Sequence, residues 1–287
     1  MILVTGAAGY TGRRLVSRLV ADGQAVRCLL RSEPQRELFE GMEVEVWVGE
    51  LAQADSVRGG FENVERIVHL AGMQVASTLI DCINRPLERV VALSSLRRFS
   101  TVTSATVGMV MRGEEQLDGS GLPSTILQSS MIFGPGNDRN ISRLAAYLRR
   151  RSIMPVFGDG TGLQQPVFVH DVVDVTLSAL FGSSCGTYQI AGPEPISYDL
   201  LVDLVGAAVG THPVKIHLPA RICALALQLA EMIGLRLPID REQVMRLQED
   251  KSVSIEAAVR DFNFAPLSFE EALGRIYASG SKEMDID

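Results

Sequence analysis

Three glycines near the start of the chain have the spacing of a phosphate-binding turn. Gly6, Gly9 and Gly12 lie in "TGAAGYTGRR", after the apolar run "ILVT" and before the helix-like "GRRLVSRLVADG". The first glycine permits a tight turn, the second lets backbone amides approach a pyrophosphate, and the third lets the helix pack closely on the strand. The helix N-terminus adds partial positive charge. This pattern predicts a dinucleotide site. Neighbouring residues assigned to it are Tyr10, Thr11 and Arg13.

The end of the second predicted strand bears on which dinucleotide is bound. An acidic residue there hydrogen-bonds the ribose 2′-hydroxyl of NAD, whereas an arginine accommodates the 2′-phosphate of NADP. The run "VRCLL" leads directly into Arg31 and Ser32, with Glu33 following, and Arg13 could add a second cation. We therefore predict NADP as the cofactor, with NAD as the alternative. In that alternative both arginines are solvated surface charges and Glu33 binds the ribose.

Strand-length apolar runs alternate with helix-length amphipathic stretches through the first half of the chain. Strands that alternate with helices pair in parallel, which predicts an α/β fold with a Rossmann-type doubly wound sheet. A smaller, mostly helical C-terminal part is expected to close over the carboxyl edge of that sheet. The predicted strands are "ILVT", "AVRCLL", "EVEVWV", "RIVHLAG", "ERVVALSS" and "STILQSS".

The second half of the chain supplies the predicted domain boundary. We place the dinucleotide-binding domain at residues 1–165, its sheet completed by 166–192, and the substrate-side region at 193–287. "QPVFVHD" is strand-like, and "VVDVTLSALFG" reads as a helix with Asp171 as its N-cap. "SFEEALGRIY" begins with Ser268 and Glu271 at capping-box spacing. The segments "ARICALALQLAEMIG" and "REQVMRLQEDK" are also predicted to be helices.

Composition restricts the class of protein. The chain has 287 residues, of which 46% are hydrophobic, and a net charge of −7. These values fit a globular protein and argue against non-specific attraction to nucleic acid or anionic membrane. The four cysteines form no C-x-x-C pair, so neither a metal site nor a disulfide framework is expected. The apolar run "ICALALQLA" is too short to span a bilayer. With no leader-like segment before the first strand, we expect a cytoplasmic protein.

The order of motifs along the chain resembles the short-chain dehydrogenase/reductase superfamily, in its extended or atypical branch. "TGAAGYTG" resembles the TGxxGxxG turn, "GELAQADSV" the GDL element, and "GLPSTILQSSMIFGPG" the element written TILRPxxIYGPG. "FGDGTGLQQPVFVHDVV" resembles a segment of nucleotide-sugar epimerases. The resemblance is nearest to NAD(P)-binding epimerase/dehydratase-like proteins. Relatives of the complex I accessory subunit of this fold and NmrA-like proteins are close alternatives.

The resemblance also implies further cofactor contacts. Glu50, in place of the usual Asp, and Leu51 would lie near the adenine. Leu70, Ala71 and Gly72, from "VHLAG", would line the nicotinamide ribose. Asp138, Arg139 and Asn140 reproduce most of an "RDRN" motif that members of this group often carry after the GPG turn.

The acid–base pair of the superfamily is absent from the sequence. That pair is a Tyr with a Lys four residues later, one helical turn apart, so that both heads lie on one face. No Tyr in the chain is followed by Lys at that spacing. Alignment by eye places Thr106 and Val110 at the expected positions, or Val107 and Met111 one residue later. Neither pair titrates near neutral pH, so the standard hydride-transfer mechanism is not available.

Other polar residues remain near the expected nicotinamide pocket. Ser94 and Ser95, from "VALSS", are candidate catalytic hydroxyls or else strand-end residues bonded to backbone. Gln128 replaces the usual Arg of "ILRP" and is assigned to the substrate side. Candidate substrate residues also include Arg97 and His170, although Arg97 and Arg98 could simply face solvent. Glu114 and Glu115 are expected on the exposed face of a helix, and His69 in the core or the cofactor wall.

Two functions remain open from the sequence. The first is an NADP-linked oxidoreductase or an epimerase/dehydratase acting on a nucleotide sugar or a similar small substrate. The second is a non-catalytic NADP(H)-binding sensor or assembly protein that acts through a protein partner. The retained frame of the family favours the first, and the missing Tyr/Lys pair favours the second.

Overall fold

Thirteen strands form the β-structure of the computed structural model, which describes residues 1–102, 104–232 and 241–277. In chain order they are β1 (Ile2–Thr5), β2 (Val26–Leu30), β3 (Val44–Val48), β4 (Arg66–His69), β5 (Arg89–Ser95), β6 (Ser124–Ser129), β7 (Ile132–Phe133), β8 (Ile153–Phe157), β9 (Leu163–Gln164), β10 (Val167–Phe168), β11 (Gly186–Ile190), β12 (Ile196–Ser197) and β13 (Val214–Leu218).

Seven of these strands make one parallel sheet in the order β11-β6-β5-β4-β1-β2-β3. The order reverses direction between β1 and β4, and the carboxyl ends of strands on either side of such a point form a ligand crevice. All four residues of β1 are buried, as expected for a strand covered on both faces. Three short pairs lie outside this sheet: β7 with β10, β9 with β12, and β8 with β13.

Eleven α-helices accompany the strands in the described part of the chain. They are α1 (Tyr10–Ala21), α2 (Ala54–Val57), α3 (Ala76–Cys82), α4 (Ala105–Asp118), α5 (Ile141–Leu148), α6 (Val169–Phe181), α7 (Tyr198–Ala208), α8 (Ala220–Met232), α9 (Arg241–Arg246), α10 (Glu256–Phe262) and α11 (Phe269–Tyr277). None of them is long and apolar enough to cross a membrane.

Two apolar layers cover the sheet. One contains residues of α1 and α6, with Leu15 and Val172 buried against β1, β2 and β5. The other contains residues of α3 and α4, with Leu79 and Leu117 fully buried. Helix α10 also joins the first layer, because Phe262 packs edge-on to Tyr188 of β11 at 4.6 Å between ring centroids. Part of the C-terminal region therefore supports the central sheet.

A third apolar cluster lies among α5, α7 and α11. Phe133 contacts Phe168 and Phe269 through tilted ring pairs, with centroids 5.9 and 4.9 Å apart. Leu201 and Leu273 are buried in the same cluster. The cluster joins the β7–β10 pair, which lies outside the seven-stranded sheet, to the C-terminal helices.

The predicted Rossmann-type doubly wound sheet is confirmed, and its strands match the predicted runs to within a few residues. The capping box is confirmed too: the Glu271 carboxylate accepts from the Ser268 backbone N–H at 3.0 Å, and the Ser268 hydroxyl accepts from the Glu271 N–H at 3.2 Å. The end of the predicted helix "ARICALALQLAEMIG" lies outside the described residues. The proposed domain boundary stays a prediction.

The prediction for Asp171 as an N-cap is wrong. Strand β10 ends at Phe168, which takes the cap position, so α6 begins at Val169 and Asp171 lies in its first turn. The Asp171 carboxylate instead accepts a hydrogen bond from the Leu267 backbone N–H at 2.8 Å. It thus ties α6 to the chain just before α11.

His69 is buried in the core at the end of β4, as expected. Its Nδ1 is 2.8 Å from the Thr5 hydroxyl, and its Nε2 is 2.9 Å from the Gly72 carbonyl oxygen. Because a carbonyl only accepts, Nε2 carries the proton and Nδ1 accepts from Thr5. Burial lowers the pKa of His69 to about 4, although the Gly72 hydrogen bond opposes this shift.

We predict that His69 makes stability depend on pH. The unfolded chain binds a proton at this residue near pH 6.5, whereas the folded chain does so only near pH 4. Stability from this residue is therefore complete above about pH 6.5 and falls as the pH drops toward 4, by up to about 3 kcal/mol. Urea denaturation across this range should show a shallower pH dependence for His69→Gln than for wild type. The exposed His212→Gln variant is the control and should follow wild type. Parallel profiles for His69→Gln and wild type would contradict the assignment.

Candidate functional site

The glycine turn between β1 and α1 has no room for side chains at two positions. Gly6 has a φ of +71°, and a Cβ there would lie 2.7 Å from the carbonyl carbon of Leu70. A Cβ on Gly12 would overlap the carbonyl oxygens of Gly6 and Ala7. Gly9 is the exposed N-cap residue of α1 and donates its N–H to the Gly6 carbonyl at 2.9 Å. The N-terminus of α1 therefore rests directly on the end of β1.

A cleft of about 400 Å³ opens beside this turn, at the carboxyl ends of the central strands. Its position and its glycine floor fit an extended dinucleotide, because backbone groups can approach a pyrophosphate there without interference from side chains. Predicted cofactor residues that line the cleft are Gly6, Gly9, Arg31, Glu50, Leu51, Leu70 and Ala71.

Other predicted cofactor residues do not line the cleft. The Tyr10 hydroxyl donates to the Pro135 carbonyl at 2.9 Å, and burial raises the pKa of Tyr10. Arg14 stacks on the Tyr10 ring at 4.2 Å and donates to the same carbonyl at 2.7 Å. This pair ties α1 to the loop after β7. The predicted residues outside the cleft lining are Tyr10, Thr11, Gly12, Arg13, Ser32 and Gly72, and their role in cofactor binding stays a prediction.

The cleft also contains residues that the sequence analysis did not assign to the cofactor. Arg139 faces it from the loop after β7, in a left-handed conformation with φ of +69°. The buried Asp138 carboxylate shapes this loop by accepting from the backbone N–H groups of Asn140 at 2.8 Å and Ser142 at 3.0 Å. The "GPGNDRN" segment was the signal for Arg139, and Ala8 and Gly49 lie within the quoted motifs "TGAAGYTG" and "GELAQADSV". The lining residues outside any quoted motif are Leu29, Gln35, Gln74 and Val75.

The end of β2 presents a cation to the cleft. Arg31 lines it, and the Gln35 side chain accepts from the Arg31 backbone N–H at 2.9 Å. Glu33, the alternative ribose ligand, forms an ion pair with Arg36 and does not line the cleft. Arg31 and Arg139 thus give the cleft two positive charges against the one carboxylate of Glu50.

The expected catalytic position on α4 adjoins a buried polar cluster. The Glu114 carboxylate accepts from the Ser94 hydroxyl, from the Arg98 guanidinium, and from the Gln128 amide at 2.8 Å. Glu114 is only 2% exposed. The prediction that Glu114 lies on the exposed helix face is therefore wrong. Its carboxylate can be buried because three donors, from β5, β6 and the turn after β5, compensate its charge. Glu115 is exposed, as predicted.

This cluster separates the two candidate serines. Ser94 is buried and uses its hydroxyl proton for Glu114. Ser95 is half-buried, and its hydroxyl accepts from the Arg97 backbone N–H at 3.3 Å, which leaves its proton available. Thr106 is exposed and Val110 is buried. Neither side chain titrates near neutral pH, so neither replaces the missing Tyr/Lys pair beside the two serines.

The predicted substrate-side residues differ in their burial and contacts. Gln128 is buried in the Glu114 cluster, whereas Arg97 is exposed in the turn after β5. His170 lies in the first turn of α6 with its ring 5.1 Å from that of Phe168. Burial, and then the nearby Arg14, lower the pKa of His170. No cluster that could hold a metal ion occurs among the residues that the structure describes.

Sequence comparison finds a cofactor-binding family model that matches the first part of the chain. Residues 6–132 match the family model described as NAD(P)H-binding. The ceramide reductase of Caulobacter vibrioides is 26% identical over 237 residues, covering 76% of this chain and 74% of that protein. The mitochondrial NADH dehydrogenase [ubiquinone] 1 alpha subcomplex subunit 9 of Arabidopsis thaliana is 23% identical, covering 90% of this chain and 70% of that protein.

Structural comparison supports the fold across nearly the whole chain. The UDP-glucuronic acid 4-epimerase of Bacillus cereus, solved in complex with UDP-glucuronic acid and NAD, superposes with a TM-score of 0.75. It is 17% identical and covers 96% of this chain and 98% of its own. At this identity the likeness establishes the architecture only.

We predict that the charge of Glu114 is required for stability. In Glu114→Gln the new amide would present donors to the Gln128 amide, and the Arg98 guanidinium would lose its carboxylate. Breaking a buried charged cluster from one side is expected to cost about 2–4 kcal/mol of unfolding free energy. Urea denaturation at pH 7 measures this loss.

The adjacent exposed residue supplies the matched control for this measurement. Glu115→Gln removes the same charge from the same helix and should change the unfolding free energy by less than about 0.5 kcal/mol. Equal effects of the two substitutions would show that Glu114 is not a buried ionic centre.

Proposed function

We propose that this chain, a Rossmann-fold protein of the extended short-chain dehydrogenase/reductase type, binds NADP(H) and acts as a non-catalytic module that responds to this cofactor through a protein partner. The observation that carries the proposal is the buried Glu114 cluster beside the catalytic position on α4. A bound NADP(H) would supply a hydride donor or acceptor, while the chain supplies no Tyr/Lys pair to move the accompanying proton.

The cleft supports the cofactor part of the proposal. The pyrophosphate would lie against Gly6 and Gly9 at the N-terminus of α1. Backbone N–H groups and the helix dipole favour negative charge at this position. Arg139 lines the same cleft from the opposite loop. Glu50 and Leu51 would bind the adenine side. An anionic cofactor is favoured because the two arginines outnumber the one acid.

The end of β2 supports NADP over NAD. Arg31 stands where a 2′-phosphate would lie if the cofactor binds as in other Rossmann folds, and an arginine matches phosphate geometry through two parallel hydrogen bonds. The carboxylate that would prefer a free 2′-hydroxyl is occupied, since Glu33 pairs with Arg36.

The region around α4 supports a non-catalytic role. Glu114 lies one helical turn beyond Val110 on the same face of the helix, and its carboxylate engages the Ser94 hydroxyl. Ser94, Arg98 and Gln128 therefore satisfy the Glu114 carboxylate. Proton transfer from Ser94 to a substrate would require breaking this arrangement.

Cofactor selectivity is tested by substituting Arg31. Isothermal titration should show wild type binding NADPH at least tenfold more tightly than NADH, because only NADPH has the phosphate. Arg31→Ala should lose most of this preference while its affinity for NADH changes little. The exposed Arg85→Ala, a variant of the same type in the loop before β5, is the control and should keep the preference. Equal wild-type affinity for both cofactors would contradict the assignment.

A second candidate function is an NADP(H)-dependent reductase or nucleotide-sugar epimerase. Two observations favour it: Ser95 has an available hydroxyl proton, and the proteins similar to this chain include a ceramide reductase and a UDP-glucuronic acid 4-epimerase. In this function Ser95 would donate a hydrogen bond to a substrate carbonyl, and the substrate itself would assist proton transfer.

The two functions differ in turnover. With NADPH and simple aliphatic ketones, the non-catalytic module should give no absorbance loss at 340 nm. With NADP+ and either UDP-glucose or UDP-glucuronic acid, it should give no epimer above the level of the Ser95→Ala variant. Turnover that Ser95→Ala lowers about 100-fold would instead establish the second function. Co-purification with and without NADPH then identifies a partner of the module.

A further inference from the structure

In the short loop between β5 and α4, several polar groups donate hydrogen bonds to one carboxylate, that of Glu249. The Glu249 carboxylate accepts from the backbone N–H groups of Thr101 at 2.6 Å and Val102 at 3.1 Å. It also accepts from the hydroxyls of Ser100 at 2.9 Å and Thr101 at 2.8 Å. Two successive backbone N–H groups with flanking hydroxyls form an anion-binding concavity, here called the nest.

The present occupant of the nest comes from a remote part of the chain. Glu249 lies in residues 247–253, here called the strap, which follows α9. The strap also bonds to the chain around β8 and β9. The Asp250 carboxylate accepts from the Leu163 N–H at 2.9 Å, and the Gln248 amide donates to the Phe157 carbonyl at 2.6 Å. The strap therefore bridges the β5–α4 loop and the chain around β8 and β9.

The position of the nest is that of a ligand site. It follows β5, whose carboxyl end carries Ser94 and Ser95, and it precedes Ser104, the N-cap of α4. Ligands of doubly wound sheets bind outside the carboxyl ends of the strands. The nest thus lies on the edge of the sheet where a bound molecule would meet α4.

The surroundings of the nest favour an anion. Burial lowers the pKa of Lys251, the nearby Glu249 carboxylate opposes this shift, and Arg246 and Arg97 add to it. Lys251 donates to the Gln164 side-chain oxygen at 3.3 Å. Gln164 is 5% exposed, and its Nε2 has no hydrogen-bond partner among the described residues. The basic side chains around Glu249 therefore favour a negatively charged group at the nest.

We propose that Ser100, Thr101 and Val102 form a binding site for a carboxylate-bearing ligand, and that Glu249 occupies it as a displaceable internal competitor. The carboxylate class follows from the occupant, whose two oxygens the four donors already match. When a ligand carboxylate replaces Glu249, the strap loses its attachment to the β5–α4 loop. This inference does not depend on NADP(H) binding, because the nest shares no residue with the cofactor cleft.

Acetate is the probe for the test, and the amide signals of Thr101 and Val102 are the readout. In Glu249→Ala the nest is empty, so acetate should shift both signals saturably in ¹H–¹⁵N spectra, while chloride at equal ionic strength should not. In wild type the tethered carboxylate has an effective concentration of order millimolar or higher. Acetate affinity there should therefore appear at least tenfold weaker.

Two further variants make the result specific. Adding Ser100→Ala and Thr101→Val to Glu249→Ala removes two charge-assisted donors and should weaken acetate binding at least tenfold. Glu256→Ala removes an exposed glutamate from α10 and should behave as wild type. If Glu249→Ala fails to fold, Glu249→Gln keeps the size of the side chain and is titrated instead.

The outcomes are distinct. Saturable acetate shifts confined to the Glu249 variants, and weakened by loss of the hydroxyls, support the site. The absence of saturable shifts in both Glu249 variants, or unchanged binding without the hydroxyls, overturns it. Tighter binding of inorganic phosphate than of acetate overturns the carboxylate class. A failure to bind NADP(H) would leave these results unchanged and would count only against the proposed function.

Discussion

The close approach of three backbone segments at the first turn is the constraint on which the cofactor cleft depends. The end of β1, the start of α1 and the chain after β4 meet where Gly6 has no room for a side chain. The buried Thr5–His69 hydrogen bond joins the same two strands from within. Because this contact sets the height of the α1 N-terminus above the sheet, it also sets how closely a phosphate can approach backbone N–H groups. Arg31 and Arg139 are placed around a floor that this contact defines.

Charge is distributed differently in the cofactor cleft and in the neighbouring region around α4. The cofactor cleft exposes arginines to solvent, as a site for an anion requires. The neighbouring region around α4 instead buries a carboxylate and satisfies it with Ser94, Arg98 and Gln128. A buried ion pair adds little net stability over an apolar core, yet it is costly to break from one side. The arrangement therefore favours a rigid support for β5 and β6 over a group that exchanges protons.

The C-terminal region contributes to both sides of the molecule. Helix α10 packs on the central sheet through Phe262, whereas α11 closes the third apolar cluster through Phe269. Between α9 and α10 the strap reaches back to the β5–α4 loop through Glu249. The β5–α4 loop is thus held by a segment that lies about 150 residues away in sequence. Contacts between segments so far apart cannot be predicted from local sequence pattern.

The sequence by itself determined the features that depend on short-range pattern. Apolar runs with helical stretches between them predicted the parallel sheet, the glycine spacing predicted the turn at Gly6 and Gly12, and the absence of Tyr-x-x-x-Lys could be read directly. Only the tertiary structure decided the rest. Glu114 reads as an exposed helix residue until β5 and β6 bring Ser94 and Gln128 to it. Asp171 reads as a cap until Phe168 takes that place. Arg139 and Glu249 acquire their surroundings from loops distant in sequence, because burial and hydrogen-bond partners are properties of packing and not of neighbouring residues in the chain.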